Sequence, residues 1–422
     1  MRRALLVITA AVLAVGLAAA VGAGATGRSP QTRFSVRNDW PQSGFNARQS
    51  RNNPFENVLG PSNVAGLGLA WSHTANSSVT TQPAVAGGAV YVGTAIGTVY
   101  ALDASTGHKL WSRSPQYAIE FDSSPAVAHG VVYIGSGYTQ NAMYALRAST
   151  GKRLWTFFFR SFYTGEYVSD PTVEGGVVYV VFTGTNTVYA LDAATGHKRW
   201  SFHFPNHGAE YPSDPAVAGG VVYIGAEDTL YALRASTGGK LWTRKIGASN
   251  PSVAVVRGVV YVVAGRTVYA LRASTGHKLW TYHTGDALNS SPPAVANGVV
   301  YVVGGRTVYA LRASTGHKLW TYHTGGALNS SPPAVANGVV YIGTRGEIHG
   351  SKEYALDAST GHKLWSYNIG GVFTSPAAVA NGHVYVEDGN VDAFDLAANA
   401  NQARARPTAS RLKPNRSLRP SH

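Results

Sequence analysis

Ala101-Leu-Asp-Ala-Ser-Thr-Gly-His-Lys-Leu-Trp111 is an eleven-residue phrase that returns, with small changes, along most of a 422-residue chain. Copies end at Trp155, Trp200, Trp242, Trp280, Trp320 and Trp365, and a partial copy, Leu67-Gly-Leu-Ala-Trp71, precedes the first. Successive tryptophans stand 40, 44, 45, 42, 38, 40 and 45 residues apart. A period of this length, built from short β-type runs, predicts an all-β chain folded as an eight-bladed β-propeller with one four-stranded blade per repeat.

Leading into the phrase, Val-Tyr-Ala-Leu alternates as a strand does, Ser-Thr-Gly supplies a turn in which Gly tolerates positive φ, and Lys-Leu-Trp enters the next strand. Where the third position is Asp (Asp103, Asp192, Asp357), its carboxylate can accept N–H groups of the turn. Four copies carry Arg there (Arg147, Arg234, Arg272, Arg312), and their turns must rely on Thr and Gly. A large ring at one fixed place per repeat reads as packing in the wedge between blades, and its loss should cost about 3 to 5 kcal/mol.

Outward from the phrase, Pro293-Ala-Val-Ala-Asn-Gly-Val-Val-Tyr-Val302 reads as two strands joined by a tight Asn-Gly turn. Val299 to Val303 is apolar without alternation, as a strand covered on both faces should be. Residues 268–301 and 308–341 differ only at Asp286 against Gly326, the mark of a duplication without an individually tailored site. Leu67 to Thr74 is a tryptophan strand with no blade before it, and Ala377 to Leu396 gives three strands with no tryptophan strand after them. The N-terminal strand should complete the last blade and remove two exposed sheet edges.

The order Ala-x-Asp-x-x-Thr-Gly-x-x-x-Trp resembles the tryptophan-docking motif of the pyrroloquinoline quinone (PQQ) repeat family, across roughly residues 36 to 396. That family includes quinoprotein alcohol dehydrogenases and the non-enzymatic outer-membrane assembly lipoprotein BamB, so the resemblance implies the fold and leaves the chemistry open. Trp71, Trp111, Trp155, Trp200, Trp242, Trp280, Trp320 and Trp365 are its docking residues here.

The composition is 45% hydrophobic and 13% charged, with no Cys. Disulfides, thiolate metal sites, a Cys nucleophile and a lipid-modified Cys, through which BamB is anchored, are excluded. The net charge of +14 suggests nucleic acid until it is divided along the chain. Residues 1–51 carry +6, residues 397–422 carry +6, and the propeller between is close to neutral at +2. The termini therefore read as solvated arms, with weak contact to anionic lipid or wall polymer as the sharper alternative, and no nucleic-acid partner is expected.

Arg2-Arg3, an uncharged run from Ala4 to Ala25 and the small residues Ala23-Gly-Ala25 predict a secretory signal over residues 1–25, with an uncleaved anchor as the alternative. Residues 26–66 form a lead-in, expected to lie across the propeller and not to form a blade. Residues 67–396 are the propeller. From Ala397 to His422 the apolar pattern is lost, which predicts a basic disordered tail.

His108, His197, His277, His317 and His362 occupy the same turn of different blades, so they spread around the rim instead of converging on a metal. The dehydrogenases resembled here hold PQQ over a Ca²⁺ bound by Glu, Asn and Asp, usually beneath a vicinal disulfide. Glu347 stands in a position resembling the loop that supplies the Glu ligand, without matching Asn or Asp partners, and the disulfide cannot form. No catalytic, cofactor-binding or metal residue is assigned.

One pattern breaks the monotony. Glu120-Phe121-Asp122, Glu166-Tyr167 with Asp170, and Glu210-Tyr211 with Asp214 precede the first strands of blades two, three and four, where the other blades are uncharged. Drift between duplicated blades is the plain reading; an arc of carboxylates and exposed rings that binds a protein or peptide is the other. Together these readings predict an exported, monomeric, non-catalytic scaffold at the cell envelope. The alternative is a PQQ-dependent oxidoreductase.

Overall fold

The computed structural model describes residues 38–115, 120–121, 123–137, 141–159, 166–205, 212–248, 251–288, 291–328, 331–345, 350–370 and 375–398. The signal segment and the tail from residue 399 onward lie outside them, as do Asp122, Glu210, Tyr211 and Glu347.

Eight antiparallel sheets of the expected kind are present. Blade one runs Ala84–Ala86, Ala89–Gly93, Val99–Asp103 and Lys109–Arg113, from innermost to outermost strand. Each innermost strand lies against the innermost strand of the next blade, and Ala378–Ala380 of blade eight lies against Ala84–Ala86, which closes the ring. Blade eight takes its outermost strand, Gly68–His73, from the N-terminal side of the chain, with Trp71 opposite Ala393 as Trp111 stands opposite Ala101 in blade one. The first and last strands of the propeller are thus hydrogen-bonded neighbours, and neither sheet edge predicted for an open array exists.

The repeated phrase explains the joints between blades. Each docking tryptophan Nε1–H donates to a carbonyl of the following blade, for example Trp111 to Ala148 at 2.8 Å and Trp200 to Ala235 at 2.8 Å. A tyrosine of the same blade donates to that same oxygen, as Tyr133 and Trp155 both do to Ala193. One carbonyl with two lone pairs therefore takes two donors, and both large rings stay buried with their polar atoms satisfied. Gly107, at φ +71°, lies under the Trp71 ring, where a Cβ would stand 2.5 Å from a ring carbon; the turn needs glycine for sterics as well as for φ. At the joint of blades seven and eight the carbonyl belongs to Leu67, which accepts from Trp365 at 3.0 Å, while the Tyr341 hydroxyl is left without a partner.

The Asp and Arg versions of the turn differ as expected. Asp103 Oδ1 accepts from the N–H and hydroxyl of both Ser105 and Thr106, and the Ser105 hydroxyl leads in holding this carboxyl below the usual range. Around Arg147 the turn keeps backbone bonds, with the Gly151 N–H donating to the Arg147 carbonyl at 2.8 Å. The hairpins between first and second strands all have two residues at positive φ: Asn-Gly in blades six, seven and eight, as at Asn297 (48°) and Gly298 (80°), and Gly-Gly, His-Gly or Arg-Gly in the others. Among the described residues no helix is long and apolar enough to cross a membrane.

Candidate functional site

The lead-in was expected to cross the propeller, and it does so by visiting every blade. The backbone of Trp40 pairs with Val85 in both directions at 2.8 Å. Val127 N–H donates to the Pro41 carbonyl at 2.7 Å and Val173 N–H to Gln42 Oε1 at 3.2 Å. Val217, Val255, Val295 and Val335 donate in turn to the carbonyls of Ala47, Arg48, Ser50 and Arg51 at 2.6 to 2.9 Å. Asn53 Nδ2 completes the circuit on the Val379 carbonyl at 2.8 Å. The valines hold the same place in the eight innermost strands, so residues 40–53 circle the propeller axis and cap the free backbone groups of each blade in order. Asn52–Asn53 also pairs in parallel with the innermost strand of blade seven.

The circuit is tight. Phe45, Gln49 and Arg51 all have positive φ, between 50° and 71°, and the Arg51 N–H turns back to the Gly44 carbonyl at 2.9 Å. Non-glycine residues hold such angles only where surrounding bonds over-determine them, and the valine contacts do so here.

This path carries Arg51 to the centre. It is 2% exposed. Nη2 donates to Ser43 Oγ at 3.3 Å, while Nε and Nη1 have no partner. Asp170 and Asp214, each three residues before the valine of its strand, are the acids whose charges act on it. Asp170 Oδ1 accepts the Ser124 N–H at 2.6 Å, and Asp214 Oδ1 accepts the Asp170 N–H at 3.0 Å. Burial pushes the Asp214 carboxyl up to about 8, the Asp170 charge adds to this, and Arg51 opposes it. Burial also raises Asp170 and lowers Arg51, the latter to about 10. One carboxylate facing one guanidinium, with the second carboxyl holding its proton, is the arrangement that leaves least uncompensated charge at neutral pH.

The arc is thus partly assembled. Asp170 and Asp214 are brought together as neighbours on the axis. Glu120 and Glu166 are half-buried on the same side, and Glu166 lies across Gly184, where any Cβ would collide with its carboxylate. Tyr167 is half-buried, and its N–H donates to Thr183 Oγ1 at 2.8 Å. Phe121 corrects the expectation of exposed rings: it is fully buried, edge-on to Tyr144 at 6.2 Å, in space left by Gly93 of blade one. Asp122, Glu210 and Tyr211 fall outside the described residues. The five turn histidines are exposed at five separate blades, and among the described residues no three His, Cys, Asp or Glu side chains converge.

Arg51 is the residue that sequence reasoning missed. It was counted with the basic, solvated N-terminal arm, and the structure instead buries it against two acids. The available signal was the company it keeps: Gln42, Ser43, Asn46, Gln49, Ser50 and Asn53 are polar but uncharged, the side chains that bond to backbone in a confined space.

The family model described as outer membrane protein assembly factor BamB matches this chain over residues 68–156, 97–252, 226–369 and 325–404. A 1-butanol dehydrogenase (cytochrome c) of Thauera butanivorans is 32% identical over 116 residues, which is 25% of this chain and 17% of that enzyme. A quinohemoprotein alcohol dehydrogenase of Comamonas testosteroni is 35% identical over 80 residues, 18% of this chain and 11% of that enzyme. The matches therefore span less than a fifth of these relatives' length. Among solved structures, BamB from Moraxella catarrhalis aligns at a TM-score of 0.62 and 19% identity, covering 78% of this chain and 97% of that one. Quinohemoprotein alcohol dehydrogenase ADHIIG from Pseudomonas putida HK5 aligns at 0.70 and 17%, covering 91% and 82%. The family model extends over most of the chain and over all eight blades, and this protein belongs to the PQQ-repeat propeller family described by BamB.

Proposed function

We propose that this protein is an extracytoplasmic, non-catalytic scaffold whose acidic mouth, formed by Glu120 and Glu166 beside the charge-balanced Asp170, Asp214 and Arg51, holds a basic segment of a protein partner. The observation that carries the reading is the lead-in circuit. It lines the ring from within at the level of the eight valines, so a partner approaches from the side on which the acids stand. Membership of a family named for outer membrane assembly favours a protein ligand at the envelope. The test is binding of an oligolysine peptide, followed by fluorescence anisotropy at low and high salt. Glu120→Gln with Glu166→Gln should weaken binding about tenfold at low salt and flatten the salt dependence. Equal affinity of parent and double variant at both salts refutes the site.

The second reading, a PQQ-dependent oxidoreductase, has support in the two dehydrogenase stretches of 32% and 35% identity. The axial residues fit its cofactor poorly. A Ca²⁺ ion beside Asp170 and Asp214 would stand against the Arg51 guanidinium, a buried cation with two uncommitted nitrogens, Nε and Nη1. Reconstitution with PQQ and Ca²⁺ followed by a dye-linked assay should give no turnover; turnover abolished by Glu347→Gln would establish this reading instead.

A further inference from the structure

The propeller's near-neutral charge hides a segregation between its two ends. In blades four, five and six the turn between the third and fourth strands is tied to the hairpin between the first and second. The Ala235 N–H donates to the Gly220 carbonyl at 2.9 Å, Ala273 to Gly258 at 2.9 Å and Ala313 to Gly298 at 2.8 Å. These connections form one end of each blade, opposite the acidic mouth. At that end blade four carries Arg234 and Lys240, blade five Arg257, Arg272 and Lys278, and blade six Arg312 and Lys318, all exposed. Arg48 of the lead-in, also exposed, joins them where its carbonyl accepts the Val255 N–H at 2.9 Å. Among the described residues no acid stands at this end of these three blades; their Glu227, Asp228 and Asp286 all lie in connections at the mouth. The turn-end acids Asp103, Asp192 and Asp357 belong to blades one, three and seven.

The arc is intrinsically unfavourable. Arg234, Arg272 and Arg312 forgo the bonds that Asp103 makes to Ser105 and Thr106, although the same Ala-Ser-Thr-Gly follows them. Like charges on adjoining blades also repel. Both effects lower stability unless an anionic partner offsets them. The kind of partner is narrowed by what stands beside each lysine. Leu241, Leu279 and Leu319, at the bulges of the outermost strands, are 42%, 45% and 41% exposed. Cations with aliphatic side chains beside them suit a lipid interface, where head groups take the charge and the acyl boundary takes the leucines. Between blades four and five this end opens a cleft of about 450 Å³, lined in part by Val221, Tyr223, Val255, Arg48 and Arg257. A phosphodiester entering it would meet two guanidinium groups. The chain also joins the propeller at this end, where Asp39 Oδ2 accepts the Gly87 N–H of the blade-one hairpin at 3.1 Å. The uncharged run from Ala4 to Ala25 precedes that point in sequence.

We propose that the turn end of blades four to six docks on an anionic lipid bilayer, its arginines and lysines on the phosphate head groups and its leucines at the acyl boundary, with the acidic mouth facing away from the membrane. The test is flotation of the full chain with vesicles of phosphatidylcholine alone and of phosphatidylcholine with about a third phosphatidylglycerol. The readout is the ratio of the two partition coefficients, in the parent and in the triple variant Arg234→Asp, Arg272→Asp, Arg312→Asp. Aspartate fills this position in blades one and seven before the same Ala-Ser-Thr-Gly, so the variant's turns gain bonds and its melting temperature should not fall. The ratio should fall about a hundredfold, a factor of roughly five for each cation removed. Parent and variant share both basic termini, so the difference between them belongs to the propeller. A second variant, Leu241→Ser with Leu279→Ser and Leu319→Ser, should weaken vesicle binding about tenfold and leave capture of soluble polyphosphate unchanged. A ratio near one in the parent, or an unchanged ratio in the arginine variant, overturns the proposal. So does a leucine variant that binds vesicles as well as the parent, which would make the arc a site for soluble polyanions.

Discussion

Asp214→Asn should remove a pH dependence of stability that the parent shows on the alkaline side. The carboxyl is raised in the folded protein to about 8, against an ordinary value near 3.8. The folded state therefore holds a proton that the unfolded chain has released over the whole interval between those values. Stability from this group is present in full at the acid end and is lost as pH rises through the folded pKa. For a single site with these two values, the contribution is about 2.7 kcal/mol at about pH 6 and near zero at about pH 9. Asparagine keeps the oxygen that accepts the Asp170 N–H at 3.0 Å, so the geometry survives. Glu387, also raised to about 8, chiefly by burial, gives the parent a second slope of the same sign. The measurement is accordingly a difference: urea midpoints and m-values of parent and variant at both pH values. The variant should lose about 2 to 3 kcal/mol less than the parent between them. Equal losses in the two proteins would mean that Asp214 is ionised at neutral pH and that the charge balance assigned to the axis is wrong.

The docking tryptophans make a graded prediction. Trp320→Ala should cost about 3 to 5 kcal/mol, whereas Trp320→Phe, which keeps most of the ring and loses the 3.0 Å bond to the Ala358 carbonyl, should cost nearer 1 to 2 kcal/mol, both read from thermal or urea denaturation. Gly361→Ala brings a Cβ within 2.6 Å of the same ring at φ +75° and should be at least as harmful as Trp320→Ala; a neutral effect would refute the sterics of the turn. Deleting residues 1–75 removes both the circuit and the strand Gly68–His73, and should yield an aggregating protein by light scattering. A soluble monomer of unchanged melting temperature would show that the closing strand is dispensable.

The eight blades were legible because their determinants sit inside one repeat. Tryptophan, the Thr-Gly turn and the Asn-Gly hairpin are short-range features, and seven near-copies average away local noise. The closing role of Leu67 to Thr74 was legible too, since a missing strand at one end matched a spare strand at the other. Phe121 was misread because its burial depends on a different repeat: the space that takes its ring exists where blade one has Gly93, and nothing beside Phe121 in sequence records that. Arg51 was missed for a related reason. The lead-in has neither the period of a strand nor that of a helix, because its partners are spaced by the blades it visits and not by its own backbone geometry.

That spacing gives the lead-in a structural role beyond filling the centre. Blades built from near-identical units, such as those over residues 268–301 and 308–341, pack on one another as readily in a ring of seven or nine as in a ring of eight. Interfaces between neighbours depend only weakly on the total number, so they specify adjacency and not count. The segment from Trp40 to Asn53 does depend on count. It offers one hydrogen-bonding group to each of eight valine positions, in chain order, and turns back on itself through the Arg51 to Gly44 bond at 2.9 Å. A ring of seven would leave one of those groups unpaired in the interior and bring the facing edges closer than the circuit allows; a ring of nine would leave an inner strand uncapped. Either error places unsatisfied backbone groups, or the Arg51 charge without its two acids, at the centre of the molecule, where they are most destabilising. The strained φ angles at Phe45, Gln49 and Arg51 are then understandable as the price of a segment shaped to the circumference of eight blades.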